Sequence, residues 1–384
     1  MINLCFNDYR VEVYRGLKAA DCKNLKRKML PLIFFLVTLV LALGYGLFWL
    51  EAFSSLSVFL GLPDSPVTHA LILVIFLTAL CSILPFIPRG SIQIDGKAVL
   101  ITGCDTGFGF ALAKHLHALG FTVFAGCLLK NQNGNGAKQL EAMKSNRMKV
   151  LQLDVTSDEQ VSQALQFVRK NLEDPDKDLW CIVNNAGIIT YGEVEFTSLR
   201  KYKEVAEVNL WGTVRVTKAF LPLIRRSKGR IVNIASMAGR FSLYLWSAYA
   251  MSKFGVVAFS DALRNEMHHW GVKVILIEPG MFAAATNLLT HDRIQTLAEE
   301  IWSEVSDAVC EDYGKPYLDK QMHAVNDMCS SGTKDMSPVI TDITDAVTSR
   351  FPYTRYNPMD AYWWIKLQLF THLPAAFTDI FNHF

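Results

Sequence analysis

The amino-acid sequence predicts an α/β protein with a Rossmann-type, doubly wound parallel sheet and an N-terminal membrane hairpin. From residue 97 onward, short apolar runs rich in β-branched residues alternate with amphipathic stretches. Strands this apolar are buried on both faces, because the intervening helices cover them. A glycine-rich turn directly follows the first of these strands, and two long uncharged runs precede the whole alternating pattern.

The membrane hairpin is predicted from two apolar runs, 29–50 and 70–88, each long enough to cross the hydrocarbon core as a helix. Lysines and arginines cluster in residues 1–28, whereas the connector 51–66 contains none. Positive residues stay on the cytoplasmic or matrix side, so the hairpin returns the rest of the chain to that side. The predicted domains are a basic segment (1–28), a membrane anchor (29–90) and a sheet-containing domain (95–384).

The strands and helices of the large domain follow in order from the alternating pattern. The predicted strands are 97–102, 121–126, 148–153, 179–184, 229–235 and 272–278. The predicted helices lie near 108–119, 135–145, 158–172, 198–225 and 248–270. Gly120 and Gly271 stand where two helices should end, since glycine readily adopts the left-handed cap conformation. A further helical stretch, 290–320, follows the last strand.

The composition argues against several classes of function. The formal net charge is +2 and only 19% of residues are charged, so nothing indicates a nucleic-acid partner. The eight cysteines are scattered without a CxxC pair, and no histidines cluster at the spacing of metal ligands. We therefore expect reduced thiols, with neither a disulfide framework nor a metal site.

The glycine-rich turn after the first strand is the strongest candidate for a cofactor site. Glycine lets the backbone approach a pyrophosphate, which then lies at the positive end of the next helix. The cofactor type stays open, since residues 125–130 (AGCLLK) place neither a carboxylate nor a basic residue where NAD or NADP is normally distinguished. The predicted cofactor ligands in the turn are Thr102, Gly103, Asp105, Thr106, Gly107, Phe108 and Gly109.

A tyrosine and a lysine form the candidate proton-transfer pair. Tyr249 and Lys253 lie four residues apart on a predicted helix, so their side chains share one face. The nearby ammonium group should lower the pKa of the tyrosine and let it exchange a proton with an alcohol. Ser236 follows the fifth predicted strand, where its hydroxyl can hold the substrate oxygen. An amphipathic helix with a buried tyrosine and an extended lysine is the alternative interpretation.

The motifs TGxxxGxG, NNAG (184–187) and YxxxK occur in order across residues 97–285 and resemble those of the short-chain dehydrogenase/reductase family. The resemblance implies an enzyme that interconverts a secondary alcohol and a ketone with NAD or NADP. It makes Tyr249, Lys253 and Ser236 catalytic, and it adds Asn209, which would organise a water beside the lysine. It also implies cofactor contacts from Asp154, Val155, Asn184, Ala186, Gly187, Tyr249, Lys253, Pro279 and Gly280.

Longer stretches are similar to one branch of this family, which interconverts (R)-3-hydroxybutyrate and acetoacetate. This similarity implies NAD as the cofactor and phospholipid dependence at the inner mitochondrial membrane. We also expect a homo-oligomer. Ser236 and Arg240 are the predicted substrate ligands, since a guanidinium group pairs well with a small carboxylate. The similar stretches are 103–127, 192–215, 311–317 and 353–364.

A membrane-bound hydroxysteroid dehydrogenase, of the 17-beta or 11-beta type, or a retinol dehydrogenase is the alternative. Loop 241–247 (FSLYLWS), expected beside the substrate, is apolar and suits an alcohol dissolved in a bilayer. For either substrate, the predicted location is the inner mitochondrial membrane or the endoplasmic reticulum, with the large domain facing matrix or cytosol. A catalytically inactive membrane scaffold is the third alternative, which the intact Tyr249–Lys253 pair disfavours. The aromatic segment 357–384 suits either a membrane interface or packing on its own domain.

Overall fold

The computed structural model separates the chain into two compact units, residues 1–88 and 89–384. Each unit is considered by itself. The residues whose structure is described are 52–63, 65–83, 89–172, 179–286, 288–330, 332–374 and 376–378.

The first unit contains two described helices, α1 (Ala52–Phe59) and α2 (Pro66–Ile83). Within the described ranges, no helix combines the length and the apolar character needed to span a membrane. The first predicted span, 29–50, lies outside the described residues, as does the end of the second, 84–88. The membrane hairpin therefore stays a prediction.

The second unit is built on a seven-stranded sheet in which every neighbouring pair of strands is parallel. The strand order is β3-β2-β1-β4-β5-β6-β7, so the direction of winding reverses between β1 and β4. Ligands bind in such sheets where the winding reverses, beyond the carboxyl ends of the strands. In chain order the elements are β1 (Ala98–Thr102), α3 (Gly107–Ala118), β2 (Thr122–Cys127), α4 (Asn135–Glu141), β3 (Met148–Gln152), α5 (Asp158–Asn171), β4 (Cys181–Asn184), α6 (Leu199–Ala206), α7 (Thr213–Ser227), β5 (Arg230–Ile234), α8 (Ser247–Met267), β6 (Lys273–Ile277), α9 (His291–Glu304), α10 (Asp307–Tyr313), α11 (Lys315–Ser330), α12 (Ser337–Thr348), β7 (Arg355–Tyr356) and α13 (Ala361–His372).

The core explains why these runs form strands. Alternate residues of β1 point to opposite faces of the sheet, so Val99 and Ile101 join one apolar cluster while Leu100 joins the other. All three side chains are fully buried. The predicted doubly wound sheet is confirmed, because helices cover both faces and all six predicted strands form near their expected positions.

Two features differ from the sequence-based expectation. The seventh strand, Arg355–Tyr356, lies outside the predicted set, because two residues are too few to produce a periodic pattern. The single helix expected over 198–225 is interrupted by a π-helical segment, Glu207–Gly212, between α6 and α7. Such segments often occur at functional sites, and this one contains Asn209.

Candidate active site

A cavity of about 310 Å³ lies beyond the carboxyl ends of β1, β4, β5 and β6. Its wall brings together side chains that are far apart in the sequence. The predicted catalytic residues Ser236, Tyr249 and Lys253 all lie in this wall. The predicted cofactor residues that also lie in it are Gly103, Asp105, Thr106, Gly107, Phe108, Asp154, Val155, Ala186, Gly187, Pro279 and Gly280.

The glycine-rich turn between β1 and α3 leaves no room for a side chain at Gly103 or at Gly109. A Cβ atom on Gly109 would lie 2.3 Å from the carbonyl oxygen of Gly103, and one on Gly103 would lie 2.8 Å from the Cα atom of Ala186. Gly103 and Gly107 also have positive φ angles of 69° and 59°, which glycine adopts without strain. This turn ends at the first residue of α3, so its shape fits a pyrophosphate lying against backbone N–H groups.

Thr102 and Gly109 lie behind the cavity wall and shape it. The Thr102 hydroxyl accepts hydrogen bonds from the N–H groups of Asn185 and Ala186, both at 3.0 Å. The Asn185 amide donates to the carbonyl oxygens of Thr102 (2.9 Å) and Gly103 (3.1 Å). These bonds hold the loop after β4 against the glycine-rich turn, and Asn185 itself lines the cavity.

Asn184 does not line the cavity, in contrast to the expectation from the family resemblance. Its side chain is buried, and its amide nitrogen donates to the Thr217 hydroxyl (2.9 Å) and to the side-chain oxygen of Asn233 (2.8 Å). Asn184 is the last residue of β4, so its side chain points to a sheet face and not into the crevice. The residue that makes the predicted contribution to the wall is its neighbour, Asn185.

Two carboxylates of the wall hold loops in place. Asp105 accepts hydrogen bonds from the N–H groups of Leu128 (2.8 Å) and Leu129 (2.9 Å), which fixes the loop after β2. Asp154 accepts from the N–H group (2.9 Å) and the hydroxyl (2.7 Å) of Thr156. Both carboxylates still lie in the cavity wall, so this part of the cavity carries negative charge.

The proposed proton-transfer groups are arranged around the ends of β5 and α8. The Lys253 ammonium group donates to the Ile234 carbonyl oxygen at 2.9 Å and lies 5.6 Å from the centre of the Tyr249 ring. Ser236 lies two residues after the end of β5, and its hydroxyl accepts from the N–H group of Ala238 at 3.1 Å. The three side chains therefore share one cavity, as the spacing of the motif predicts.

The direction of the Tyr249 pKa differs from the expectation. Burial of the phenol raises its pKa to about 12, while an interaction with the Ser236 hydroxyl acts in the opposite direction. Burial also lowers the pKa of Lys253 to about 8. The expected lowering by the ammonium group is wrong for the protein alone, since loss of hydration on burial is the largest influence on the pKa of this phenol.

Asn209 is buried behind the cavity wall, where its side chain binds the segment after β4. Its carbonyl oxygen accepts from the Ile188 N–H group at 2.8 Å, and its amide donates to the Ile188 carbonyl oxygen and the Ser252 hydroxyl, both at 2.9 Å. Asn209 thereby links the segment after β4 to the helix that carries Tyr249. Its role in a water relay stays a prediction.

Arg240 has a partner other than a substrate. Its guanidinium group lies 3.3 Å from the carboxylate of Glu278, a fully buried side chain, and Arg240 is absent from the described cavity wall. A buried carboxylate loses much of its hydration and binds such a cation strongly. The role of Arg240 as a substrate ligand stays a prediction.

The wall on the side of loop 241–247 is apolar. Leu243 and Trp246 come from this loop, as the sequence indicates, whereas Met281 and Phe282 come from the segment after β6. The hydroxyl of Tyr244, in the same loop, donates to Glu193, which also accepts from the Tyr317 hydroxyl of α11 at 2.9 Å. Met281 and Phe282 are not among the predicted site residues, although the predicted contacts Pro279 and Gly280 directly precede them and the ends of parallel strands meet at one edge of the sheet.

Replacement of Lys253 by methionine should alter the pH dependence of stability. The unfolded chain holds this proton up to pH 10.5 but the folded protein only to about pH 8, so stability of the wild type rises between these values. From pH 7.5 to 9.5 the wild type should gain about 2 kcal/mol over Lys253→Met. Urea denaturation at both pH values measures this difference. Lys114→Met, at an exposed position of α3, is the control. If the wild type gained as much stability over Lys114→Met as over Lys253→Met between these pH values, the prediction would be contradicted.

The parallel sheet, the glycine-rich turn and the Tyr249–Lys253 pair define a Rossmann-type protein with an oxidoreductase site. The chain belongs to the short-chain dehydrogenase family. The family model described as short chain dehydrogenase matches residues 97–295. It is 56% identical over 303 residues to the mitochondrial D-beta-hydroxybutyrate dehydrogenase of Bos taurus, which covers 77% of this chain and 88% of that protein.

More distant similarities agree with this assignment. The 17-beta-hydroxysteroid dehydrogenase type 2 of Homo sapiens is 42% identical, over 76% of this chain and 75% of that protein. A solved structure of a short-chain dehydrogenase from Streptomyces avermitilis is 26% identical, with a TM-score of 0.57. The match covers 74% of this chain and 96% of that one.

Proposed function

We propose that this protein is an NAD-dependent oxidoreductase that interconverts (R)-3-hydroxybutyrate and acetoacetate. The observation that carries the reaction type is the placement of Ser236, Tyr249 and Lys253 in the wall of one cavity with the glycine-rich turn. The substrate is supported by the 56% identity to the bovine D-beta-hydroxybutyrate dehydrogenase.

In this mechanism the chain binds and deprotonates the alcohol. The Ser236 hydroxyl donates a hydrogen bond to the substrate oxygen, and Tyr249 accepts the hydroxyl proton during oxidation and returns it during ketone reduction. When bound, the nicotinamide supplies the hydride acceptor for oxidation, the hydride donor for reduction, and a positive charge in its oxidised form. That charge would act with Lys253 to favour the phenolate, which burial alone disfavours.

NAD is the cofactor that the charges of the cavity favour. Asp105 and Asp154 lie in its wall, and Lys253 is the one cation among its described lining residues. Lys130, the basic residue nearest the end of β2, lies 3.9 Å from Glu141 and outside this wall. A 2′-phosphate would meet carboxylates without a paired cation, so NADP should bind more weakly than NAD.

A lipophilic alcohol, as in hydroxysteroid or retinol dehydrogenases, is the second candidate substrate. The observation in its favour is the apolar wall made by Leu243, Trp246, Met281 and Phe282. Among the described lining residues the one cation that a small carboxylate could meet is Lys253, and this lysine is already assigned to the proton transfer. An apolar wall instead stabilises a hydrocarbon by removing it from water.

Membrane association is also proposed for this protein, at the inner mitochondrial membrane or the endoplasmic reticulum with the large domain facing matrix or cytosol. The support is the pair of apolar runs within 29–90 and the exposed side chains of α13. One side of α13 packs on its own domain through Leu367, while Tyr362, Trp364 and Ile365 are exposed on it. Exposed aromatic side chains suit a lipid interface. A homo-oligomer with phospholipid-dependent activity is part of the same proposal.

Oxidation of three alcohols by the purified full chain separates the two substrates. We expect (R)-3-hydroxybutyrate to be oxidised faster with NAD than with NADP. Phosphatidylcholine vesicles should raise this activity, and the protein should sediment together with the vesicles. The (S) enantiomer and the Tyr249→Phe protein are the controls. Oxidation of estradiol or retinol without hydroxybutyrate would select the lipophilic substrate, and oxidation of none would contradict the enzymatic proposal.

A further inference from the structure

Glu278 is a fully buried carboxylate at the edge of the proposed active site. It directly follows β6 and directly precedes Pro279 and Gly280, which line the cavity. Its own side chain is absent from the described cavity wall. A carboxylate removed from water requires compensating partners, and those partners here determine what it can do.

Three side chains from two other segments supply the partners of Glu278. Arg240 lies 3.3 Å from Oε2 of the carboxylate, and the Asn357 amide donates to the same oxygen at 2.9 Å. The guanidinium group of Arg355, in β7, contacts Oε1. Both carboxylate oxygens are therefore bound by fixed donors, and truncation of any donor leaves the negative charge less well compensated.

The contact with Arg240 reaches the catalytic serine. Ser236 begins a short 3₁₀ turn, Met237–Gly239, and Arg240 is the residue that ends it. The Met237 N–H group donates to the carbonyl oxygen of Pro279 at 3.0 Å. The turn is thus attached to the end of β6 twice, once by a backbone bond at Pro279 and once by the Arg240–Glu278 ion pair.

The contact with Arg355 reaches the helix of the catalytic tyrosine. The same guanidinium group that contacts Glu278 donates to both carboxylate oxygens of Asp261, at 2.9 and 2.7 Å. Asp261 lies in α8, which also carries Tyr249 and Lys253. One carboxylate therefore connects the serine turn, the Pro279–Gly280 wall and, through Arg355, the helix of the proton-transfer pair.

We propose that Glu278 is a positioning residue for hydride transfer, which acts through Arg240 and Arg355 to hold Ser236 and Tyr249 at fixed places relative to the Pro279–Gly280 wall. The proposal rests on the proposed oxidoreductase function. Hydride and proton transfer depend steeply on the placement of the reacting groups, so a loosened turn should slow the reaction more than it weakens binding.

The test uses Glu278→Gln, Arg240→Gln and the double variant in the full chain. We expect Glu278→Gln to lower kcat about 30-fold and Arg240→Gln about 10-fold, with the NADH dissociation constant, measured by fluorescence titration, changing less than about twofold. Since both residues act through one contact, the double variant should be no slower than Glu278→Gln. Amide hydrogen exchange of residues 236–243, measured without added dinucleotide, should be faster in all three variants.

The control and the contrary outcomes are distinct. Arg264→Gln removes an arginine that pairs with Asp261 at 2.7 Å without touching Glu278, and its kcat should change less than about twofold. The positioning role is overturned if the kcat losses of the two single variants multiply in the double variant. It is also overturned if Arg240→Gln raises only the KM for hydroxybutyrate. Arg240 is partly exposed, so its variant tests the proposal even if Glu278→Gln does not fold. Should the wild type oxidise no alcohol, the proposed function fails, while hydrogen exchange still tests the coupling.

Discussion

Replacement of Tyr249 by phenylalanine should lower kcat/KM for alcohol oxidation about 1,000-fold, within the range for loss of a general acid or base. The phenol lies in the cavity wall, where it interacts with the Ser236 hydroxyl and its ring centre lies 5.6 Å from the Lys253 ammonium nitrogen. Phenylalanine keeps the ring and its packing, so the variant should fold as the wild type does. Its dissociation constant for NADH should stay within about twofold of the wild-type value. Steady-state kinetics and a fluorescence titration with NADH measure the two effects separately.

Tyr313→Phe is the matched control for this experiment. Tyr313 is partly exposed in α10, and its hydroxyl donates to Glu195 at 2.6 Å, away from the cavity wall. Its loss should leave kcat/KM unchanged within about twofold, since an exposed hydrogen bond contributes little. If Tyr249→Phe retained the wild-type rate of hydride transfer, the assignment of Tyr249 as the proton acceptor would be wrong.

The second large effect is expected for Gly109→Ala in the glycine-rich turn. The added methyl group would lie 2.3 Å from the carbonyl oxygen of Gly103 and 2.6 Å from the side-chain nitrogen of Asn185. Neither backbone nor a hydrogen-bonded amide can move away without opening the turn, so we expect about 3 kcal/mol of lost stability. NADH binding should weaken about 100-fold, equivalent to about 2.7 kcal/mol. Thermal unfolding and calorimetric titration with NADH check both values.

Lys114→Ala on the exposed side of α3 is the control for Gly109→Ala. It changes the same helix without approaching the turn, so NADH affinity should stay within about twofold of the wild type. Tight NADH binding by a folded Gly109→Ala protein would show that the turn does not hold the pyrophosphate, and would contradict the assignment of this turn.

The sheet was predictable because its strands are buried on both faces and are separated in the sequence by amphipathic helices. The order of hydrophobic runs locates β1 to β6 to within a few residues. The glycine-rich turn could also be located, since its glycines form a local sequence motif directly after the first strand. The spacing of Tyr249 and Lys253 placed both on one helical face, which brought them into the same cavity.

The remaining features depend on contacts between distant segments, which leave little trace in the local pattern. Arg240 looks like a substrate ligand in isolation, and its partner Glu278 becomes evident only when β5 and β6 lie side by side. The pKa of Tyr249 depends on how deeply the folded chain surrounds the phenol. Likewise, whether Asn184 or Asn185 faces the crevice depends on the residue at which β4 ends.

The short strand β7 has a consequence for the biosynthesis of this protein. Glu278 meets Arg355 and Asn357 only 77 and 79 positions later in the chain, and Gly280 donates to the Pro358 carbonyl oxygen at 3.1 Å. Ser236, Tyr249 and Lys253 are therefore synthesised well before β7 and the residues after it, which bind Glu278 and Gly280. A growing polypeptide that has just passed β6 lacks Arg355 and Asn357, two of the three side chains that bind Glu278. We therefore expect activity to begin abruptly, late in translation, and not to accumulate gradually with length.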